Sequence, residues 1–107
     1  MSRGTLPDDL PDGWACYLLL CSDGSYCCGI AAHLRSRLRQ HASGKGSTYT
    51  KGTRPTTLVW FETHPIGQSA AAREKQIKSW SHKKKVGLAD GSIDLGPNAR
   101  RMQVSLG

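Results

Sequence analysis

The sequence predicts an α+β fold, a small three-stranded sheet flanked by helices in the order β-β-α-β-α-α. Three observations lead to it. Short apolar runs bounded by turn residues are interspersed with stretches whose apolar side chains recur every three or four positions; the first pattern marks strands and the second helices. An Asp-Gly pair, Asp23-Gly24, separates the first two runs, as in a tight hairpin. The length, 107 residues, suits one domain with one modest core and leaves no room for a second.

Residues 1–13 are rich in Pro and Asp and are expected to form a flexible leader. The run from Trp14 to Cys21, WACYLLLC, is short and apolar and reads as a buried strand. Ser22 to Ser25 make the turn, and Tyr26 to Ile30 return as a second strand containing Gly29, where glycine admits another group close to the backbone. A helix is expected over Leu34 to Ala42, because Leu34, Leu38 and His41 share one face at helical spacing. Ser43-Gly-Lys-Gly-Ser ends it. Thr56 to Glu62, TTLVWFE, is β-branched and aromatic and supplies the third strand. A second helix runs from Ser69, read as its N-cap, to Trp80, and Ser81 caps a third through Ala89. The domain proper is thus expected over residues 14–89. Residues 90–107 carry Gly, Pro and Asn with little periodicity and are expected to be a flexible tail.

The charge is concentrated. Lys and Arg number 15 against 8 acids, a net charge of +7. Twelve of the basic residues fall between His33 and Lys85, with only Glu62 and Glu74 opposing them. Such a field attracts polyanions, so nucleic acid is the expected partner. An acidic protein partner is an alternative that nothing in the sequence singles out. No apolar run is long enough to span a membrane, and the opening residues lack a secretory apolar core; a cytoplasmic location is expected, with no membrane partner. The four cysteines, Cys16, Cys21, Cys27 and Cys28, are spaced unlike a zinc site and no second cluster answers them, so they are read as small apolar thiols in the sheet, with no structural zinc. Trp60 and Trp80 are read as core.

A few residues stand out as chemistry. Ala70, Glu74 and Ile77 share a helix face, which sets a carboxylate on an apolar stripe. Arg37 and His41 are one turn apart; a guanidinium fork beside an imidazole suits a phosphate that must be held while a proton moves. Each also has a plain reading, as a helix-edge ion pair and as a solvated basic face. Alternation puts Tyr17 on the face shared by Leu19 and Cys21, and Cys27 stands two residues before Gly29.

Together these pieces resemble the GIY-YIG nuclease superfamily, in particular its small single-domain bacterial (YhbQ-like) branch. The resemblance rests on Trp14-Ala-Cys-Tyr17-Leu-Leu, on Asp23-Gly24 with Gly29-Ile30, and on Arg37 with His41. It continues through Ser43 to Gly46, Arg54-Pro55 with Leu58-Val59, and Ala70, Glu74, Ile77 and Lys78. It implies an endonuclease that cuts phosphodiester bonds of nucleic acid, DNA rather than RNA, with one divalent metal, Mg²⁺ or Mn²⁺. It implies that Glu74 binds the metal, Arg37 clamps the phosphate, Tyr17 acts on the attacking water, His41 carries a proton or contacts phosphate, and Gly29 opens the backbone to the site. Arg35, Lys45, Lys51, Arg54 and Lys78 are the candidate nucleic-acid contacts.

The chain departs from the family pattern at the second motif tyrosine, where it has Cys27. A thiol is too short to reach the same water, whatever its acidity. Tyr26 is adjacent, but one residue along a strand points to the opposite face. Three outcomes stand open: reduced or lost activity, sufficiency of Tyr17 and His41, or a bulge at Cys27-Cys28 that brings Tyr26 round. The alternative function is a nucleic-acid-binding module on the same scaffold, weak or inactive in cleavage.

Overall fold

The computed structural model describes residues 6–7, 10–42 and 54–106. Within them the chain runs β1 (Trp14–Cys21), β2 (Tyr26–Ala31), α1 (Leu34–Ala42), β3 (Pro55–His64), α2 (Gly67–Lys78), α3 (His82–Asp90) and β4 (Ala99–Ser105). The fold is α+β as expected, but the sheet has four antiparallel strands rather than three, in the order β2-β1-β3-β4.

The fourth strand comes from the segment expected to be a tail. Its exposure alternates from Arg101 to Ser105, with Met102 and Val104 turned toward the core and their neighbours toward solvent. Two adjacent arginines and a preceding Gly-Pro-Asn hide that period in the sequence. The leader differs in the same way. Leu6 and Leu10 are buried in the core, and the carbonyl of Pro7 accepts a hydrogen bond from Arg35 at 2.6 Å. Two leucines among prolines and aspartates show no period, so only the packing reveals them.

The hairpin forms as read. The amide of Gly24 donates to the carbonyl of Cys21, Gly24 takes φ +86°, and Asp23 accepts from the amide and hydroxyl of Ser25. A left-handed residue there is what a three-residue hairpin loop requires. Helix α2 begins at Gly67, two residues before the expected N-cap. Ile66 occupies the cap without a side-chain bond, while the Ser69 hydroxyl donates to the carbonyl of Ile66 from inside the first turn. Ser81 does cap α3, accepting from the amide of Lys84.

The sheet separates two cores. Leu34 and Leu38 of α1 pack against Ala15, Tyr17, Leu19, Leu58 and Phe61 on one face. Ile77 of α2 and Leu88 of α3 cover Cys16, Leu18, Val59 and Trp60 on the other. Strict alternation would split Val59 from Trp60. A bulge restores both to one face: Leu18 pairs with Trp60 but Leu19 with Leu58, leaving Val59 as the extra residue. Trp60 is buried, as its sequence context implies.

A buried ion pair ties α2 to β3. Glu62 is 4% exposed and receives Arg73 Nε at 2.8 Å and a second guanidinium nitrogen at 3.2 Å. His64 Nε2 lies 2.7 Å from the same carboxylate without a hydrogen bond to it, and its Nδ1 is 3.1 Å from the Ser69 hydroxyl. Among the described residues no helix is long and apolar enough to cross a membrane.

Candidate active site

Strand β2 is an edge of the sheet, and an open cleft of about 480 Å³ wraps around it. From the α1 side come Arg37, His41 and, out of β1, Tyr17; from the other side come Glu74 and Lys78 of α2 and Lys85 of α3. Cys27 and Gly29 form part of the floor. Groups from opposite faces meet because only one strand stands between them. The volume suits a small polar ligand or a short stretch of a polymer.

Tyr17 is set by register. It lies directly opposite Gly29 in the antiparallel pair, and its ring crosses the glycine. A Cβ at Gly29 would stand 2.6 Å from Tyr17 Oη and 2.7 Å from Cζ. Glycine is therefore required there by close approach, not by a turn. Replacing Gly29 with alanine is expected to push the phenol aside and destabilise the fold by about 1–3 kcal/mol, as overpacking does. Urea unfolding measures the loss, and retention of wild-type stability would show that the ring moves freely.

The tyrosine ends on His41, with Oη 3.1 Å from Nε2 and both residues buried. The rings meet edge on, 5.9 Å apart. Burial, and after it the charge of Arg37, holds the imidazole below its ordinary pKa. The ring is therefore neutral at neutral pH, and when Nε2 carries the lone pair it accepts the phenolic proton. Because folding lowers this pKa, the contribution is present above the unfolded value and is lost as pH falls through the folded one.

Glu74 sits at the edge of its stripe, between fully buried Ala70 and Ile77, with its own side chain 22% exposed. Lys78 Nζ lies 3.3 Å from its Oε2, one turn along the helix. Among the described residues three cations, Arg37, Lys78 and Lys85, thus share the cleft with one carboxylate, an excess that favours an anionic ligand.

The cysteines fall into two cross-strand pairs on opposite faces. Cys21 and Cys27 bring their sulfurs within 3.2 Å on the Tyr17 face, and Cys16 and Cys28 within 3.6 Å on the α2 face. Strands β1 and β2 pair one for one from Ala15–Ala31 to Leu20–Tyr26. No bulge turns Tyr26 round, so that alternative falls. Its ring stays on the far face, 5.5 Å from the ring of His82, and reaches the cleft only by passing the strand edge.

The cleft thus gathers Tyr17, Cys27, Gly29, Arg37, His41, Glu74 and Lys78 of the residues singled out in the sequence. It does not gather Arg35, which is tied to Pro7, or Arg54, which is exposed beside Ser22. Lys45 and Lys51, and the expected Ser43-to-Ser47 helix stop, lie outside the described residues. Sequence reasoning did not place Cys28, Ile30 or Lys85 in the cleft, and it expected Tyr26 there only by way of a bulge. A signal for Lys85 exists: it lies three residues before buried Leu88, so of the three adjacent lysines it alone is half-buried.

These features, an α+β sheet with a basic cleft around one glutamate, define a class that comparison with known proteins identifies. The family described as the GIY-YIG catalytic domain matches residues 13–86. The chain belongs to the GIY-YIG family, and its general class is that of a nuclease-type hydrolase whose substrate is nucleic acid. It is similar to a UPF0213 protein of Haloquadratum walsbyi, 38% identical over 79 residues, covering 74% of this chain and 89% of that one. A UPF0213 protein of Bacillus pumilus is 41% identical over 69 residues, covering 64% and 70%. The solution NMR structure of a UPF0213 protein from Bacillus halodurans is 35% identical, covers 72% of this chain and 82% of that one, and has a TM-score of 0.45.

Proposed function

We propose that this domain is a metal-dependent endonuclease that hydrolyses phosphodiester bonds of DNA in the cytoplasm. The observation that carries the reading is the convergence of Tyr17, Arg37, His41 and Glu74 on one basic cleft.

The donor set supports a hard divalent ion. Among the described residues no three His, Cys, Asp or Glu side chains cluster as a cage. One carboxylate flanked by cations suits Mg²⁺ or Mn²⁺, which keep most of their waters and complete their shell with substrate phosphate. Glu74 would hold such an ion, giving up its exposed and weak contact with Lys78. Bound there, the ion supplies Lewis acidity to the scissile phosphate.

The chain's own groups supply the rest. Arg37 grips the phosphoryl oxygens as charge gathers on them. Tyr17 faces the attacking water, and His41 takes the phenolic proton, so the pair removes a proton without a free hydroxide. Lys78 and Lys85 hold the neighbouring phosphates. Cys27 contributes no phenol, and the rate is correspondingly below that of a site with two tyrosines.

The test is a cleavage assay on single- and double-stranded DNA, with RNA alongside, in Mg²⁺ or Mn²⁺. Wild type is expected to cut slowly and to stop when a chelator removes the metal. Arg37→Ala lowers the rate about 10²–10³-fold, and Cys27→Tyr raises it about tenfold by restoring a second phenol. A second reading, a binding module, is favoured by Cys27 itself. It predicts DNA left intact under either metal, with affinity that falls steeply as salt rises.

A further inference from the structure

We propose that Cys21 and Cys27 are a modification site, a dithiol that closes to a reversible disulfide under peroxide and thereby alters the cleft. Neither cysteine has another assigned purpose. Cys27 lines the cleft, whereas Cys21 lies beneath it, 2% exposed. Their sulfurs are 3.2 Å apart and need about 2.0 Å to bond.

The local backbone favours closure at this pair rather than at the other. Cys21 is the last residue of β1, next to the hairpin turn, and the pairing of β1 with β3 already slips between Leu20 and Cys21. Cys16 and Cys28 are farther apart, at 3.6 Å, and sit within regular pairing on the covered face. The contact with Cys28 and then burial push the Cys16 thiol far up, which leaves it inert. Burial first, then Cys27, pushes Cys21 up to about 12, so it is not the sulfur that meets the oxidant. Cys27, reached through the cleft, is.

The chemistry balances with one peroxide. The Cys27 sulfur attacks the O–O bond, becoming a sulfenic acid and releasing water. The Cys21 sulfur then displaces the hydroxyl, which leaves with the Cys21 thiol proton as a second water. Two thiols are oxidised by two electrons, and both peroxide oxygens are reduced. The bond draws the start of β2 toward the end of β1. Two residues on, Gly29 lies directly under the Tyr17 ring with no slack, so the movement reaches the Tyr17–His41 pair.

The site itself does not depend on the nuclease reading; only its effect on cleavage does. The experiment treats the full chain with hydrogen peroxide, alkylates the remaining thiols and counts them by intact mass. All four thiols are free in the structure, and oxidation is expected to remove two, restored by dithiothreitol. Cys16→Ala should still lose two. Cys21→Ala, with Cys21→Ser as a second variant, should form no disulfide. Four thiols surviving in wild type, closure persisting in the Cys21 variants, or a disulfide-linked dimer would overturn the site.

Cleavage by the oxidised wild type is expected to fall about tenfold, since ångström displacements in a catalytic cleft have effects of that order or more. It should recover with dithiothreitol, and Cys21→Ala, whose Cys27 can be oxidised but cannot close the bond, should not show the tenfold fall. Low-salt binding of the same oligonucleotide gives a second readout of the cleft. Closure that leaves both readouts unchanged would overturn the coupling. Absence of cleavage in the reduced protein would instead count against the nuclease reading and leave the thiol result standing.

Discussion

Glu74→Gln is expected to reduce metal-supported DNA cleavage about 10³-fold, or to below detection. The substitution keeps the size of the side chain and removes the only carboxylate that lines the cleft among the described residues. Because the side chain is partly solvated and its Lys78 contact is exposed, folding should be unaffected: the urea midpoint stays within the scatter of wild type. DNA affinity without metal should rise slightly, since a negative charge has been taken from a basic cleft. The separation of these readouts gives the test its force. Loss of cleavage with unchanged stability assigns the glutamate to the chemistry, while unchanged cleavage removes it from any metal role.

Arg73→Ala is expected to destabilise the fold by about 3 kcal/mol, the lower part of the range for breaking a buried pair. The guanidinium meets the Glu62 carboxylate through two nitrogens, and Glu62 is nearly inaccessible to water. Without Arg73 the carboxylate keeps, among the described residues, only the His64 contact. Urea unfolding gives the magnitude. Replacing both members, Arg73→Ala with Glu62→Met, should recover most of the loss, because the cost lies in the stranded charge rather than in the missing bond. If the double variant is no better than the single one, the pair matters for alignment of α2 instead.

Much of the candidate cleft was legible once the family resemblance joined local signals that are weak one by one. Tyr17 and Gly29 are fixed by strand period and hairpin register, and Arg37, His41 and Glu74 by helical spacing. What escaped depends on packing across the chain. The bulge at Val59 is invisible in TTLVWFE, which reads as a plain strand. Glu62 and Arg73 are eleven residues apart and meet only when α2 docks on β3. Arg35 is one of three arginines in its helix, and only the returning leader at Pro7 distinguishes it. Lys85 follows a rule that was available, but the run of lysines obscured it. Strand β4 is short, arginine-bearing and last, and it becomes a strand only because β3 offers it an edge.

That fourth strand has a consequence for the edge of the sheet beyond β3. The region shared with the family ends at residue 86, before β4 begins. A fragment cut there would leave β3 unpaired along Thr57 to Glu62, next to Trp60 and Phe61, an open row of amides and carbonyls beside large apolar rings. Such an edge invites pairing with a second chain. Strand β4 closes it and substitutes a rim carrying Arg100 and Arg101, both exposed, whose like charges repel another copy. The last strand therefore covers the apolar edge of β3 with a charged one, independent of any part the cleft plays.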